Sequence, residues 1–264
     1  MKHARKSIAL TALVCALGLG LTGCGGDGGD NGSDTPTPTP SVRTAAEGMW
    51  CDNDYQDTVV IFRDDGKFWL WSGGGSCGSG FTSLWSTTHG TYTTNGNNFS
   101  GSDKTFNYEE SEIQSETFTG TAVAKNTLHA RSSEDLDTDP GANFIYMSTY
   151  DQPASLDSLA GSYTGKAATM AVGYAYQKTG VVISGSDLSM PEDASGCSAQ
   201  GTVKPHGSVN MFDLSITFKG ASCWLGDGTT AKGIAVQIGG SDQIQIQAVT
   251  DDGLKDFSFV GSQQ

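Results

Sequence analysis

The sequence predicts an all-β chain of two tandem antiparallel β-barrel or β-sandwich domains related by an internal repeat. Three observations carry this. Apolar and polar residues alternate with period two in both halves, three anchor segments recur at one offset, and tight-turn residues punctuate the strands. With 36 Gly among 264 residues and only 17% charged, helical bundles and coiled coils are poor candidates.

The strands follow from the alternation. Phe212-Asp213-Leu214-Ser215-Ile216-Thr217-Phe218 and Gln243-Ile244-Gln245-Ile246-Gln247-Ala248 each predict one dry face and one wet face. Thr58 to Phe62, Lys67 to Trp71, Thr117 to Val123, Gly180 to Ser184 and Phe257 to Val260 also read as strands. Asp65-Gly66, Asn95-Gly96, Gly228 and Asp252-Gly253 supply turns between them. No window carries an amphipathic helical stripe with caps. Each half is thus a meander of six to eight antiparallel strands.

The repeat rests on a shared offset of 113 residues. Gly48-Met49-Trp50 matches Gly161-Ser162-Tyr163. Gly120-Thr121-Ala122-Val123 matches Gly233-Ile234-Ala235-Val236, and Asn143-Phe144-Ile145-Tyr146 matches Asp256-Phe257-Ser258-Phe259. That period is the size of a small domain rather than a solenoid unit. We therefore expect one β-domain over 45–152 and a second over 153–264, with Pro153 at the junction. Gly48-Met49-Trp50 weakly resembles the Gly-x-Trp at the start of lipocalin barrels. The rest of that signature does not follow, so the resemblance implies the architecture alone.

The first residues read as an address. Lys2, Arg5 and Lys6 precede an uncharged apolar run from Ile8 to Leu21, too short to span a bilayer comfortably. The run ends in Leu21-Thr22-Gly23-Cys24, which resembles the lipobox of bacterial lipoproteins. The resemblance covers residues 1–24. It implies cleavage after Gly23, a diacylglycerol on Cys24 and an acylated new N-terminus. Two or three acyl chains anchor durably where one alone is marginal. Residues 24–44 then form a tether: GGDGGDNGSD is flexible, TPTPTP is stiffer, and neither has apolar residues to bury. Gly25 stands where an Asp would be the best-known inner-membrane retention signal of the family, so the resemblance implies the outer membrane, at its periplasmic face or the cell surface.

Charge narrows the partners. Lys and Arg number 15 against 29 Asp and Glu, a formal charge of −14. Cleavage removes Lys2, Arg5 and Lys6 and no acid, which takes the chain to −17. That weighs against nucleic acid and against an electrostatic hold on anionic lipid.

Cys15 leaves with the leader and Cys24 takes the lipid, so four cysteines remain. Cys51 and Cys77 lie in the first half, Cys197 and Cys223 in the second, 26 residues apart in each case. Four cysteines allow three connectivities. Local pairing crosses no domain junction and suits an oxidising compartment. A zinc site would need short paired spacings, and none exist.

Candidate chemistry is thin. Gly74-Gly75-Ser76-Cys77-Gly78 fits G-x-S-x-G, and Gly73, Gly75 and Gly78 fit G-x-G-x-x-G, but no helix follows to build an elbow or hold a pyrophosphate. Asp135, Asp137 and Asp139 could face calcium, yet the EF-hand pattern fails, and Asp52-Asn53-Asp54 is weaker still. A solvated acidic loop is the plainer reading. His89, His129 and His206 are widely spaced, and Glu109, Glu110, Glu112 and Glu116 read as a solvated run rather than a carboxylate pair. We expect no catalytic residue, no cofactor and no resident metal.

Tryptophans are the remaining candidates. Trp69 and Trp71 share one face of a strand whose other face carries Phe68 and Leu70. Such a strand is buried on both sides or offers one face to a ligand or partner. Trp85 and Trp224 fall in loops near cysteines. Exposed Trp marks binding surfaces, so Trp69, Trp71, Trp85 and Trp224 are candidate binding residues. The expected function is a membrane-anchored envelope lipoprotein whose domains bind a protein, a glycan or a small apolar ligand. A structural or accessory subunit of a larger envelope assembly is the alternative.

Overall fold

A computed structural model describes residues 43–135, 139–171, 175–238 and 242–264. Cys24, the leader and the tether up to residue 42 lie outside these residues. Residues 41–264 form one compact unit containing two closed antiparallel barrels of eight strands each.

In the first barrel, β1 (Gly48–Asp52), β2 (Thr58–Phe62) and β3 (Lys67–Ser72) lead into a small hairpin of β4 (Gly75–Ser76) and β5 (Gly80–Phe81). The barrel resumes with β6 (Ser86–Asn95), β7 (Asn98–Asn107), β8 (Glu112–Val123), β9 (Thr127–Ser132) and β10 (Ala142–Tyr146). It closes where Trp50 of β1 faces Tyr146 of β10. The second barrel is an unbroken meander. Its strands are β11 (Gly161–Thr169), β12 (Ala175–Ser184), β13 (Asp187–Met190), β14 (Ser198–Pro205), β15 (Phe212–Lys219), β16 (Thr230–Ile238), β17 (Gln243–Thr250) and β18 (Asp256–Gln263), with β18 pairing back onto β11. Closure leaves neither barrel with an exposed sheet edge. Among the described residues, helix is confined to single turns at Ser148–Asp151 and Leu156–Leu159, between the barrels.

The three anchor pairs fall on the first, sixth and eighth strands of each barrel. The likeness extends to detail. Trp50 Nε1 donates to the Ala46 carbonyl at 2.9 Å, and the Tyr163 hydroxyl donates to the Leu159 carbonyl at 2.8 Å, each four residues upstream. Both rings are fully buried and fold back on the segment that enters their barrel. Gly48 and Gly161, two residues earlier, have φ of +154° and +157°, a conformation that a side chain would strain.

Both local disulfides are present, Cys51–Cys77 and Cys197–Cys223. Their equal spacing is nevertheless not part of the repeat. Cys51 sits in the first strand and Cys77 in the β4–β5 excursion, whereas Cys197 precedes the fourth strand of its barrel and Cys223 follows the fifth. One bridge pins the hairpin to β1; the other ties two loops together at one end of the second barrel.

Three apolar clusters organise the body. Trp50, Val60, Phe62, Phe68, Phe99 and Phe118 line the inside of the first barrel. Tyr163, Phe212, Ile216, Ile246 and Phe259 are among those filling the second. The third cluster is the seam between them, where Met49, Ile61, Trp71 and Phe106 meet Ala168, Met170, Ile234 and Val260. Strand β3 is thus buried on both faces, with Phe68 pointing inward and Trp71 in the seam. The seam also corrects one expectation. Gln245 and Gln247 on the polar face of β17 are both 0% exposed, because that face packs against the first barrel instead of water. Gln247 Nε2 reaches the Thr88 carbonyl at 3.1 Å, and Gln243 Oε1 accepts from Phe81 N–H at 2.6 Å.

Candidate functional site

The two lumens differ. The first barrel holds a cavity of about 450 Å³ that is open to solvent. Its floor and walls include Val60, Phe62, Phe68, Leu70, Phe118, Leu128 and Phe144, and Thr88, Thr105, Asp103, Arg131 and Ser132 add polar groups. Among the described residues, a pocket of about 30 Å³ in the second barrel is bordered by Cys197, Trp224 and Leu225.

Local pairing shapes the wall of the first lumen. Phe68 lies directly opposite Gly90, Phe118 opposite Gly101, and Phe99 opposite Gly120. A Cβ on Gly101 would stand 2.4 Å from the Phe118 ring, and one on Gly120 would stand 2.2 Å from the Phe99 ring. Each ring therefore lies down on a bare stretch of backbone. A side chain at either glycine would lift a ring into the space above.

The polar groups are not equivalent. Asp52 Oδ1 accepts from the Asp54 and Tyr55 N–H groups at 2.7 and 2.8 Å. Asp135 accepts from Ser132 N–H, and Asp139 from Gly141 N–H, both at 2.8 Å. These carboxylates are held by their own turns. Glu116, which faces the same interior as Phe118, accepts from the Ser132 hydroxyl. Asp103 is only half engaged: its carboxylate takes a backbone N–H of Glu116, while its Oδ1 is buried and has no hydrogen-bond partner. Burial first, and the Glu116 charge second, push its carboxyl up to about 6. Asp137, the middle member of the acidic triplet, lies outside the described residues. Among the described residues no group of three His, Cys, Asp or Glu is placed to hold a metal ion.

A second concavity, about 610 Å³, runs between the barrels. Lys67, Lys104, Lys232 and Arg63 border it, over Trp69 and Val249. Its charges are largely matched. Arg63 pairs with Asp65 at 3.0 Å and with Asp213 at 2.9 Å, and Lys232 pairs with Asp251 at 3.0 Å. His89 is stacked between Trp69 and Phe106, and burial, aided by Lys104, lowers its pKa to about 4. His206 bridges the barrels, 2.9 Å from both Asp64 and Asp213. His129 lies 3.1 Å from Asn143 Oδ1.

The four tryptophans do not form one patch. Trp71 is 0% exposed in the seam, and Trp69 borders the groove with 5% exposure. Trp85, before β6, is exposed at 37%, and Trp224 packs half-buried against the second core. Ser76 of the G-x-S-x-G match sits in the two-residue β4 beside the bridged Cys77, with no helix after it. Sequence reasoning missed Asp103, Thr88 and Thr105. The one available signal was parity: on β7, Phe99, Gly101, Asp103 and Thr105 share the inner face, so a carboxylate falls among lumen-facing residues.

No protein-family model matches the chain, and no curated protein matches it. Among solved structures it is similar to a protein of unknown function from the DUF3598 family of Nostoc punctiforme. That likeness spans 83% of this chain and 97% of the other, at 12% identity and a TM-score of 0.26, too low to carry any argument.

Proposed function

We propose that the chain is a non-catalytic, lipid-anchored protein of the bacterial envelope that binds a small ligand with an apolar body in the lumen of its first barrel. The contrast between the two related barrels carries this reading. Close packing is the ordinary state of a protein interior, and the pocket described in the second barrel, beside its buried core, is only about 30 Å³. The first keeps a cavity of about 450 Å³ lined by rings and a few polar groups, which is the size and make-up of a ligand pocket. The eight-stranded meander, with a buried aromatic in its first strand, is compatible with the lipocalin-like architecture implied by Gly48-Met49-Trp50. The lipobox resemblance at Leu21 to Cys24 supports the anchor, and Gly25 supports the outer membrane.

The test uses the chain carrying Cys24→Ser, which takes no lipid and needs no detergent. N-phenyl-1-naphthylamine, a neutral apolar dye, should bind saturably with enhanced fluorescence. Ala142→Phe, which fills the lumen from β10, should weaken binding at least about ten-fold, the effect of losing roughly 1.4 kcal/mol of contact. Absence of saturable binding, or binding indifferent to Ala142→Phe in a folded variant, rules the reading out.

A further inference from the structure

We propose that the ligand of the first barrel is an organic cation, an apolar body bearing a protonated amine that pairs with Asp103. This deepens the lumen reading above and rests on it.

The inference starts from which polar groups are already engaged. Asp52, Asp135 and Asp139 each accept from backbone N–H groups of their own turns, and Glu116 accepts from Ser132. Asp103 accepts one backbone N–H, from Glu116, but its Oδ1 is buried without a donor. An ionisable oxygen held out of water with nothing to bond is costly, so native interiors rarely leave one that way. A ligand that brings an N–H⁺ to this position removes the deficit and gains a charge-assisted hydrogen bond.

The surroundings favour the same sign. Asp52, Asp54, Asp103, Asp135 and Asp139 line the cavity against a single cation, Arg131. Arg131 has a partner of its own. Phe62, Phe68, Phe118 and Phe144 present ring surface to whatever enters, and ring faces attract cations. A fatty acid would meet the opposite situation, its carboxylate entering a lumen already rich in carboxylates. Burial and Glu116 hold Asp103 near 6, so at neutral pH it is mostly charged and in need of a counterion.

Three probes with one apolar body decide the matter: 4-phenylbutylamine, 4-phenylbutan-1-ol and 4-phenylbutanoate. Each is titrated calorimetrically into the Cys24→Ser chain at pH 7.5, and into the same chain with Asp103→Asn or Ala142→Phe. The amine should bind roughly ten- to a hundred-fold tighter than the alcohol, the worth of a hydrogen bond to a charged group. The carboxylate should bind weakest. Asp103→Asn should bring the amine to within about three-fold of the alcohol and leave the alcohol unchanged. Binding of the alcohol with no preference for the amine, or a preference that survives Asp103→Asn, overturns the cation inference and leaves the lumen reading standing. Failure of all three probes to bind, or alcohol binding that Ala142→Phe does not weaken, overturns both. Should Asp103→Asn fail to fold, the order of the three probes on the chain with Asp103 intact decides.

Discussion

Removing the hydroxyl of Tyr108 should loosen the seam between the barrels in a pH-dependent way. Tyr108 follows β7 of the first barrel and is fully buried, with its hydroxyl donating to the Asp256 carboxylate of β18. The same oxygen lies 3.0 Å from Ser258 Oγ and 2.9 Å from Thr87 Oγ1. The other Asp256 oxygen accepts from Met170 N–H at 2.7 Å. Burial raises Asp256 to about 6 in spite of these donors, against about 3.9 in an unfolded chain. Because the native state holds this proton more tightly than the unfolded state, the sign is the reverse of a paired surface aspartate. Stability is greatest below the unfolded value and declines as pH rises through about 6. The two-unit difference amounts to about 3 kcal/mol lost by pH 7. Tyr108→Phe removes a hydrogen bond to a buried charge and should take away a further 2 to 3 kcal/mol or so at pH 7. The loss should shrink near pH 4, where the protonated carboxyl is neutral. Urea unfolding from pH 4 to 7, on the parent chain, Tyr108→Phe and Asp256→Asn, measures each quantity. Asp103 also titrates near 6, so the informative number is the difference in pH slope between the parent and Asp256→Asn. Equal slopes, or a Tyr108→Phe loss below about 0.5 kcal/mol at pH 7, the range of ordinary surface changes, would refute the reasoning.

Three further outcomes are expected. His206 has a pKa raised by its bond to Asp213, then by Asp64, so its stabilisation is present below about 6.5 and lost as pH rises through the higher folded value. His206→Gln should therefore lower the thermal midpoint at pH 6 and change it little at pH 9. Each disulfide spans a separation of 26 residues, and breaking either by paired Cys→Ala substitution should remove about 3 to 4 kcal/mol in denaturant unfolding. Intact-mass measurement of protein from bacterial membranes should show a chain beginning at Cys24 and carrying acyl groups, and Cys24→Ser should abolish that mass shift.

Much of the fold was legible because period-two patterning and repeated anchors are local signals. The 113-residue offset marks the first, sixth and eighth strands of each barrel, which carry a buried aromatic or a bare glycine. Other features misled for a physical reason. The 26-residue cysteine spacing looks like part of the repeat, but the bridges join non-equivalent positions, since a disulfide asks only for two Cα atoms within reach. The glutamines of β17 read as a wet face, and nothing within the strand reveals that another barrel covers it. The candidate site was nearly invisible. Asp103 becomes exceptional only when β6, β7 and β8 curl it inward and leave Oδ1 without a donor, whereas Asp52 and Asp135, equally acidic in the sequence, are occupied by their turns.

A hollow barrel forgoes contacts that a filled one keeps, and the structure places compensating burial on the outside. Met49, Val59, Ile61, Trp69, Trp71 and Phe106 are all at or below 5% exposure, in a cluster they share with the β4–β5 hairpin and the second barrel. Fully burying one large apolar side chain contributes about 1.5 to 3 kcal/mol, so this face represents a substantial part of the first barrel's stability. The second barrel, with its packed core, then acts as a buttress that lets its neighbour remain open. Expressed alone, residues 43–152 should expose that face and either aggregate or fail to unfold cooperatively, whereas 153–264 should fold with only its outer seam uncovered. Gel filtration and urea unfolding of the two fragments test the division. A monomeric, cooperatively unfolding 43–152 would show that the open barrel supports itself and that the seam serves some other end.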